Sequence, residues 1–355
     1  MEIEAAVSHG LAYVHDHDPG LKRASSPRGL EVVDADGKPV RDGATLERVR
    51  RLAIPPAWTE VWICPDPNGH IQAVGRDAKG RKQYRYHAGW RACRDEAKYE
   101  SLLAFGQALP RLRERVEADL GHRGLPREKV LAAVVRLLEL TLIRIGNDEY
   151  AKQNKSFGLT TLRKRHVALK GAGAVFEFRG KSGVMHKTGF HDARLARILR
   201  SCEHLPGQRL FQYVDHDGAR HAIGSHDVNA YIRETIGEHF SAKTFRTWMG
   251  TLLAARALAM QPVPDNASQA KKAIVLAVKA VSGMLRNTPA VCRACYIHPL
   301  VFETFEKGEL EPALAQEPAR AEAALLKLLA GAHGERPPRA ARRPRRKLRV
   351  AEAAL

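Results

Sequence analysis

A tyrosine near the end of the chain, Tyr296, has neighbours that could support chemistry. It follows Asn287 by nine positions, in a stretch that runs from Gly283 to Pro299. A phenol has a pKa near ~10 and is a poor nucleophile at neutral pH. It becomes useful when cations hold a phosphate in line with it and stabilise the charge that develops there. Unless the chain supplies such cations, Tyr296 is simply a half-buried aromatic residue at the start of a helix.

Three cations occur in patterns that could present them to a phosphate. Arg144 follows an apolar helical stripe and precedes a Gly-Asn break, so its alternative role is to neutralise a helix C-terminus. Lys181 lies at the glycine-flanked tip of a predicted β-hairpin, where a lysine is usually just solvated. Arg246 follows a predicted N-cap, Thr244. In the first turn of a helix a cation opposes the helix dipole and should need an anion as partner.

The overall charge predicts a polyanionic partner. The chain has 355 residues, enough for two domains, and 44% of them are hydrophobic and 27% charged, as in ordinary soluble proteins. The net charge of +19 and the pI near 10.0 are not ordinary. Only part of this charge belongs to the segment from Arg336 to Arg349, which has seven arginines, one lysine and no acid. The rest of the chain should therefore also carry a basic surface that suits nucleic acid.

Cysteine usage and hydropathy disfavour several other classes. The five cysteines are scattered: Cys64, Cys93, Cys202, Cys292 and Cys295. This pattern predicts a reduced, cytoplasmic protein. Cys292 and Cys295 have the spacing of a zinc or redox pair, but a zinc site needs further ligands, and none is obvious. The N-terminus does not resemble a signal peptide, and no run approaches the ~20 apolar residues of a membrane span. We therefore expect no metal, no cofactor and no membrane association.

The periodicity predicts an α+β fold in three parts. Residues 1–93 read as a small antiparallel β-rich domain, with strands expected over 59–64, 70–75 and 81–87. Residues 94–312 read as a mostly helical domain that includes the hairpin, with helices expected to end at Gly121 and Gly146. Residues 313–355 read as a helix followed by a disordered Arg/Pro-rich tail.

The third predicted strand interleaves cations with amide and phenol groups. In an extended strand Tyr84 and Tyr86 share one face with Lys82, and Arg81 and Gln83 lie beside them. Amides and phenols can contact the edges of bases in a groove while cations hold the phosphates. The alternative is an ordinary strand with a solvated basic face.

The order of these motifs resembles the active site of type IB DNA topoisomerases, most closely the poxvirus-like and bacterial group. The motifs are Arg144 in Leu-Ile-Arg-Ile-Gly-Asn, Lys181 on its hairpin, Arg246 in Lys-Thr-Phe-Arg-Thr-Trp, and Asn287 nine residues before Tyr296. The resemblance spans roughly residues 50 to 305. It implies a monomeric clamp on double-stranded DNA, in the cytoplasm at a bacterial nucleoid. The enzyme would be an isomerase that relaxes supercoils without ATP or metal.

The resemblance also implies a role for each residue. Tyr296 would attack the scissile phosphorus and form a 3′-phosphotyrosyl bond. Arg144 and Arg246 would bind the non-bridging oxygens, and Lys181 would protonate the leaving 5′ oxygen. Asn287 replaces a histidine of many members, so we expect transition-state stabilisation weaker by ~1–2 kcal/mol. The implied DNA contacts are Arg81, Gln83, Tyr84, Tyr86, Tyr150 and Lys243.

Two other readings remain open at this point. A tyrosine recombinase shares the tyrosine, two arginines and a hairpin lysine, but it usually has a histidine where Lys243 precedes Arg246 by three residues. A non-catalytic DNA-packaging protein would need only the basic surface and the tail. A packaging protein would bind DNA without covalent attachment, and a recombinase would need paired sites.

Overall fold

The computed structural model describes residues 6–7, 10–26 and 29–334. The arginine-rich segment from 336 to 349, predicted to be disordered, lies outside the described residues. The chain divides into two compact units, Met1–Glu100 and Ser101–Leu355. The antiparallel β-rich first part and the mostly helical second part confirm the α+β prediction.

The first unit contains one five-stranded antiparallel sheet in the order β2-β1-β3-β4-β5. Its strands are β1 (Leu21–Ser26), β2 (Gly29–Val33), β3 (Thr59–Ile63), β4 (Ile71–Arg76) and β5 (Lys82–Tyr86), and helix α1 (Gly43–Arg51) joins β2 to β3. The three strands predicted from alternation are thus β3, β4 and β5. Period-two alternation places Val61, Ile63 and Ala73 in one apolar cluster and Trp62 and Val74 in another.

The second unit is built mainly from helices. Helix α2 (Ala88–Leu120) begins in the first unit, six residues before the predicted start of the helical domain, and continues into the second unit, where it ends just before Gly121 as predicted. The remaining helices are α3 (Arg127–Thr141), α4 (Asp148–Asn154), α5 (Ala193–His204), α6 (Ser225–Ile236), α7 (Ala242–Ala259), α8 (Ala267–Leu285), α9 (Pro289–Tyr296), α10 (Pro299–Glu306) and α11 (Pro318–Gly334). Among the described residues, no helix is both long enough and apolar enough to cross a membrane.

Two small antiparallel sheets accompany these helices. One has the order β6-β7-β8, with strands β6 (Val167–Lys170), β7 (Gly173–Arg179) and β8 (Met185–His191). The other pairs β9 (Gln212–Val214) with β10 (Arg220–Ala222). Strands β7 and β8 are the predicted hairpin, in the register that pairs Phe178 with His186 and Arg179 with Met185.

Helix α7 lies in the main hydrophobic core and carries Arg246 into it. Phe245 and Trp248 are each 1% exposed and contact the ring of Phe105, with centroid distances of 5.1 and 6.2 Å. A helix surrounded by other elements holds its side chains in fixed rotamers because the interior is close-packed. The core therefore fixes the direction of Arg246.

Two predicted helix boundaries were wrong. Helix α3 was expected to continue to Gly146, but it ends at Thr141 because Leu142 adopts a left-handed conformation (φ 55°). Helix α7 was expected to have Thr244 as its N-cap. The N-cap is Ser241, and the Thr244 hydroxyl accepts a hydrogen bond from the Ser241 amide at 3.2 Å, as in a capping box.

Candidate active site

Arg246 is buried between the ends of two helices. Its side chain is 3% exposed; Nη1 donates to the carbonyl of Leu142 and Nη2 to the carbonyl of Leu285 at 2.6 Å. Leu142 is the C-cap of α3 and Leu285 the last residue of α8. Carbonyls at a helix C-terminus carry partial negative charge, so they stabilise the buried guanidinium without a carboxylate.

This geometry corrects the prediction that Arg246 lies in a first helical turn and opposes its own helix dipole. Because α7 begins at Ala242, Arg246 lies in the second turn, and the dipoles that act on it are those of α3 and α8. They favour a cation there.

Arg144 reaches the end of α8 from the other direction. It lies two residues past the α3 C-cap and is half-buried. Its Nη2 donates to Oδ1 of Asn287 and to the carbonyl of Arg286 at 3.4 Å. The alternative predicted for Arg144 was that it neutralises the C-terminus of the helix before it, α3. Arg144 does contact a helix C-terminus, but that helix is α8. Burial lowers the pKa of Arg144, and the phenol of Tyr296 opposes part of this shift.

Tyr296 is the last residue of α9, not the first of a helix, and it is half-buried. The guanidinium carbon of Arg246 lies 5.2 Å from the centre of its ring. The carbonyl of Tyr296 packs directly against Gly250 of α7, where a Cβ would come within 2.5 Å of it. The fully buried Thr251 has its hydroxyl 3.5 Å from the same carbonyl. Helix α7 therefore positions both Arg246 and the backbone of Tyr296.

The charge on this site is not neutralised by acids. Among the described residues, no carboxylate forms an ion pair with Arg144 or Arg246. Elsewhere Arg113, for example, binds both Glu139 and Glu322. Burial, and then the charge of Arg144, lower the pKa of Arg246 to about 10, so both guanidinium groups remain charged at neutral pH.

Two buried donors at this site have no hydrogen-bond partner among the described residues. They are Nε of Arg246 and Nδ2 of Asn287. An unpaired buried donor costs roughly 1–3 kcal/mol and occurs rarely in native proteins. Unpaired donors beside two guanidinium groups that have no carboxylate partner among the described residues suit an anion with several acceptor oxygens.

Lys181 lies on the turn between β7 and β8. The turn is a single 3-10 turn, Lys181–Gly183, in which Ser182 (φ 60°) and Gly183 (φ 78°) are left-handed. Lys181 is exposed and forms no ion pair among the described residues. Arg286 donates to the carbonyl of Lys187 at 3.3 Å and so ties strand β8 to the end of α8. The hairpin is anchored to the site, and its tip is open to solvent.

His186 is a residue of this site that the sequence analysis did not single out. It is 5% exposed, stacks on Phe178 with ring centroids 5.0 Å apart, and has an unpartnered Nε2. Burial and the charges of Arg144, Arg286 and Arg246 lower its pKa to about 4. The available signal was the alternation of β8, which places His186 inward between exposed Met185 and Lys187.

The other predicted DNA-contacting residues lie on α7, on α4 and in the first unit. Lys243 is exposed in the first turn of α7, and Tyr150, 46% exposed, lies on α4.

In the first unit, the carboxylate of Asp77 binds Arg81 at 2.6 Å and accepts from Gln83 at 3.0 Å, and Arg81 lowers the pKa of Asp77 to about 2. Tyr84 and Tyr86 stack with centroids 5.7 Å apart.

No group of three or more histidine, cysteine or acidic side chains in the described part of the chain could hold a metal ion. Of the pair with zinc-like spacing, Cys292 is buried and Cys295 is exposed. Burial raises the pKa of Cys292 to about 11. The chemical groups at the site are a phenol, guanidinium groups, neutral hydrogen-bond donors and, on the hairpin turn, the ammonium of Lys181.

Tyr296 thus lies against Arg246, and Arg144 and the lysine-bearing hairpin both contact the end of α8. Residues 87–316 match the family model described as the catalytic core of eukaryotic DNA topoisomerase I, and residues 30–77 match the N-terminal domain of bacterial DNA topoisomerase IB. The chain therefore belongs to the type IB DNA topoisomerase family.

Curated relatives agree with this membership. The chain is 34% identical over 270 residues to DNA topoisomerase 1B of Acanthamoeba polyphaga mimivirus, a match that covers 74% of this chain and 80% of the relative. It is 22% identical over 269 residues to DNA topoisomerase 1B of vaccinia virus (strain Copenhagen), a match that covers 74% of this chain and 82% of the relative. It is also 22% identical over 271 residues to DNA topoisomerase 1 of rabbit fibroma virus (strain Kasza), a match that covers 73% of this chain and 81% of the relative.

Proposed function

We propose that this protein relaxes supercoiled duplex DNA by cleaving one strand through Tyr296 and then resealing it. One observation carries the proposal: the guanidinium groups of Arg144 and Arg246 lie beside Tyr296. Neither guanidinium group has a carboxylate partner in the described part of the chain. Phosphoryl transfer depends mainly on positioning and on electrostatic stabilisation. Fixed cations without counterions can provide both.

In the proposed cleavage step, the Tyr296 oxygen attacks the scissile phosphorus and loses its proton to solvent. The bond from phosphorus to the 5′ oxygen breaks, and a 3′-phosphotyrosyl ester forms. Arg144, Arg246 and Nδ2 of Asn287 donate to the non-bridging oxygens. Lys181 gives a proton to the leaving 5′ oxygen, which departs as a hydroxyl. Lys243 assists near the same phosphate.

Resealing reverses these steps. The phosphotyrosyl ester conserves the energy of the phosphodiester bond, so the reaction needs no ATP, and the fixed cations supply the charge stabilisation that a metal would otherwise give. Between the two steps the free strand swivels and the supercoils relax. We propose further that the protein acts as a monomer on nucleoid DNA. Its other DNA contacts would be Arg81, Gln83, Tyr84, Tyr86 and Tyr150, as the sequence suggests.

The test is relaxation of supercoiled plasmid in EDTA without ATP, with SDS added to trap protein attached to DNA. The wild type should relax the plasmid and leave a covalent adduct, and Tyr296→Phe should do neither because it lacks the nucleophilic oxygen. Tyr213→Phe is a matched control, since Tyr213 is also half-buried in the second unit and stacks on His221. It should behave as wild type. DNA binding without relaxation or adduct in the wild type would refute the proposal.

A further inference from the structure

His186 differs from the other buried histidine beside the same phenylalanine. His166 is 8% exposed, and its ring centroid lies 6.4 Å from that of Phe178. Its Nδ1, however, accepts a hydrogen bond from the backbone amide of Arg163 at 3.1 Å. His186 stacks on Phe178, and its buried Nε2 has no partner among the described residues. A buried polar atom left unpaired in a native fold needs a reason.

The unpaired edge of His186 lies directly beneath the start of the turn that carries Lys181. A Cβ added to Gly180 would be 2.4 Å from Cδ2 and 2.5 Å from Nε2 of His186. Gly180 has φ −96°, a value that any residue adopts, so glycine is required there for space rather than for backbone conformation. The Gly180 amide donates to the carbonyl of Val184 at 2.8 Å and so closes the turn. The imidazole therefore supports the residue next to Lys181.

Burial and the surrounding charges determine what His186 can do. Burial, and then the charges of Arg144, Arg286 and Arg246, lower its pKa to about 4, well below neutrality. A neutral imidazole in this field cannot serve as a cationic proton donor. One of its nitrogens is an acceptor, and an acceptor that lies against Gly180, the residue before Lys181, suits an ammonium group, which has three donors and no acceptor.

We propose that His186 is a positioning residue for Lys181: its ring braces Gly180, and its Nε2 accepts a hydrogen bond from the lysine ammonium when Lys181 turns toward the scissile phosphate. This fixes one of the three N–H bonds and leaves another aimed at the 5′ oxygen. The inference rests on the proposed function, in which Lys181 protonates that oxygen. His186 itself exchanges no proton.

The test compares two DNA duplexes that differ in one atom of the scissile bond. One has the ordinary 5′ oxygen and the other a 5′ bridging sulfur. A thiol has a pKa near ~8.5, far below that of an alcohol, so the sulfur leaves without being protonated. A variant impaired only in proton donation should therefore be slow on oxygen and normal on sulfur. The ratio of the two single-turnover rates does not depend on the folded fraction of a preparation, because unfolding lowers both rates equally.

His186→Phe preserves the stack on Phe178 and removes the nitrogen. We expect its cleavage of the oxygen duplex to fall about 10- to 100-fold, the effect of one charge-assisted hydrogen bond. Its cleavage of the sulfur duplex should match wild type. His186→Gln, whose amide oxygen can accept from the ammonium, should recover part of the loss. His166→Phe is the matched control and should leave the ratio unchanged.

Lys181→Ala distinguishes the role proposed for His186 from the role proposed for Lys181. If sulfur restores Lys181→Ala but not His186→Phe, or if His186→Phe loses nothing on oxygen, the role of His186 is overturned and that of Lys181 stands. If sulfur does not restore Lys181→Ala, the proton donor of the proposed function is wrong, and the role of His186 falls with it. Restoration of both variants by sulfur is the result that we expect.

Discussion

Replacing Arg246 by lysine should damage both the fold and the chemistry, because the guanidinium serves both. It bonds the carbonyls of Leu142 and Leu285, and a single ammonium at the same place reaches only one of them. The buried carbonyl left unpaired should cost roughly 1–3 kcal/mol of stability. One charge-assisted hydrogen bond to the phosphate is also lost, which should slow cleavage about 10- to 100-fold.

Arg144→Lys is the matched comparison. Arg144 is half-buried, and one of its partners is the side chain of Asn287, which can rotate to find another partner. The two variants should therefore cleave DNA with similar losses, but only Arg246→Lys should be markedly less stable. Urea unfolding followed by tryptophan fluorescence measures the stability, and SDS-trapped adduct in single turnover measures the chemistry. An Arg246→Lys protein as stable as Arg144→Lys would refute the structural role assigned to the two carbonyls.

Three further predictions concern Asn287, Gly250 and the two buried histidines. Asn287→Asp keeps an acceptor but exchanges the unpaired Nδ2 donor for a negative charge. Adduct formation should fall about 100-fold, because one donor is lost and the carboxylate repels phosphate. A rate near that of wild type would contradict this. Gly250→Ala places a Cβ within 2.5 Å of the Tyr296 carbonyl, so cleavage should fall at least ~10-fold while DNA binding, measured by gel shift, is retained; unchanged cleavage would show that the contact is unimportant. His166 and His186 have pKa values lowered from 6.5 to about 4. As the pH falls from 6.5 to 4, these histidines take up protons in the unfolded chain before they do so in the folded protein. The free energy of unfolding should therefore fall over this range, by up to roughly 3 kcal/mol for each histidine. His166→Phe should flatten this slope in urea unfolding, and an unchanged slope would count against the assignment.

Local patterns predicted much of the fold. Alternation predicted β3 to β5 and the hairpin, and Gly121 was correctly expected to mark the end of α2. The failures were at boundaries where a single residue decides. Leu142 adopts a left-handed conformation that its residue type disfavours, and Ser241 competes with Thr244 as a cap of similar strength.

The geometry of the site could not be read from the sequence in the same way. The hydrogen bonds of Arg246 join residues 104 and 39 positions away, and that of Arg144 to Asn287 spans 143. Contacts between residues so far apart in the sequence produce no periodic pattern from which they could be predicted. His186 was missed because its importance depends on what its inward face meets, the backbone of Gly180 and the surrounding arginines.

The two sets of cations differ in what must happen before a phosphate can bind them. Arg81 and Lys82 are each held by an aspartate, at 2.6 Å in both pairs, so DNA would have to displace a carboxylate from them. Arg246 and Arg144 are instead held by carbonyls at the end of α8 that stay in place. Ionic strength should act on the capture of DNA, because salt competes with phosphate for the exposed cations of the basic surface, and only weakly on the rate at which captured DNA is cut, because buried charges are little screened. A cell could change its salt and alter how often this enzyme finds DNA without altering how fast it works once there.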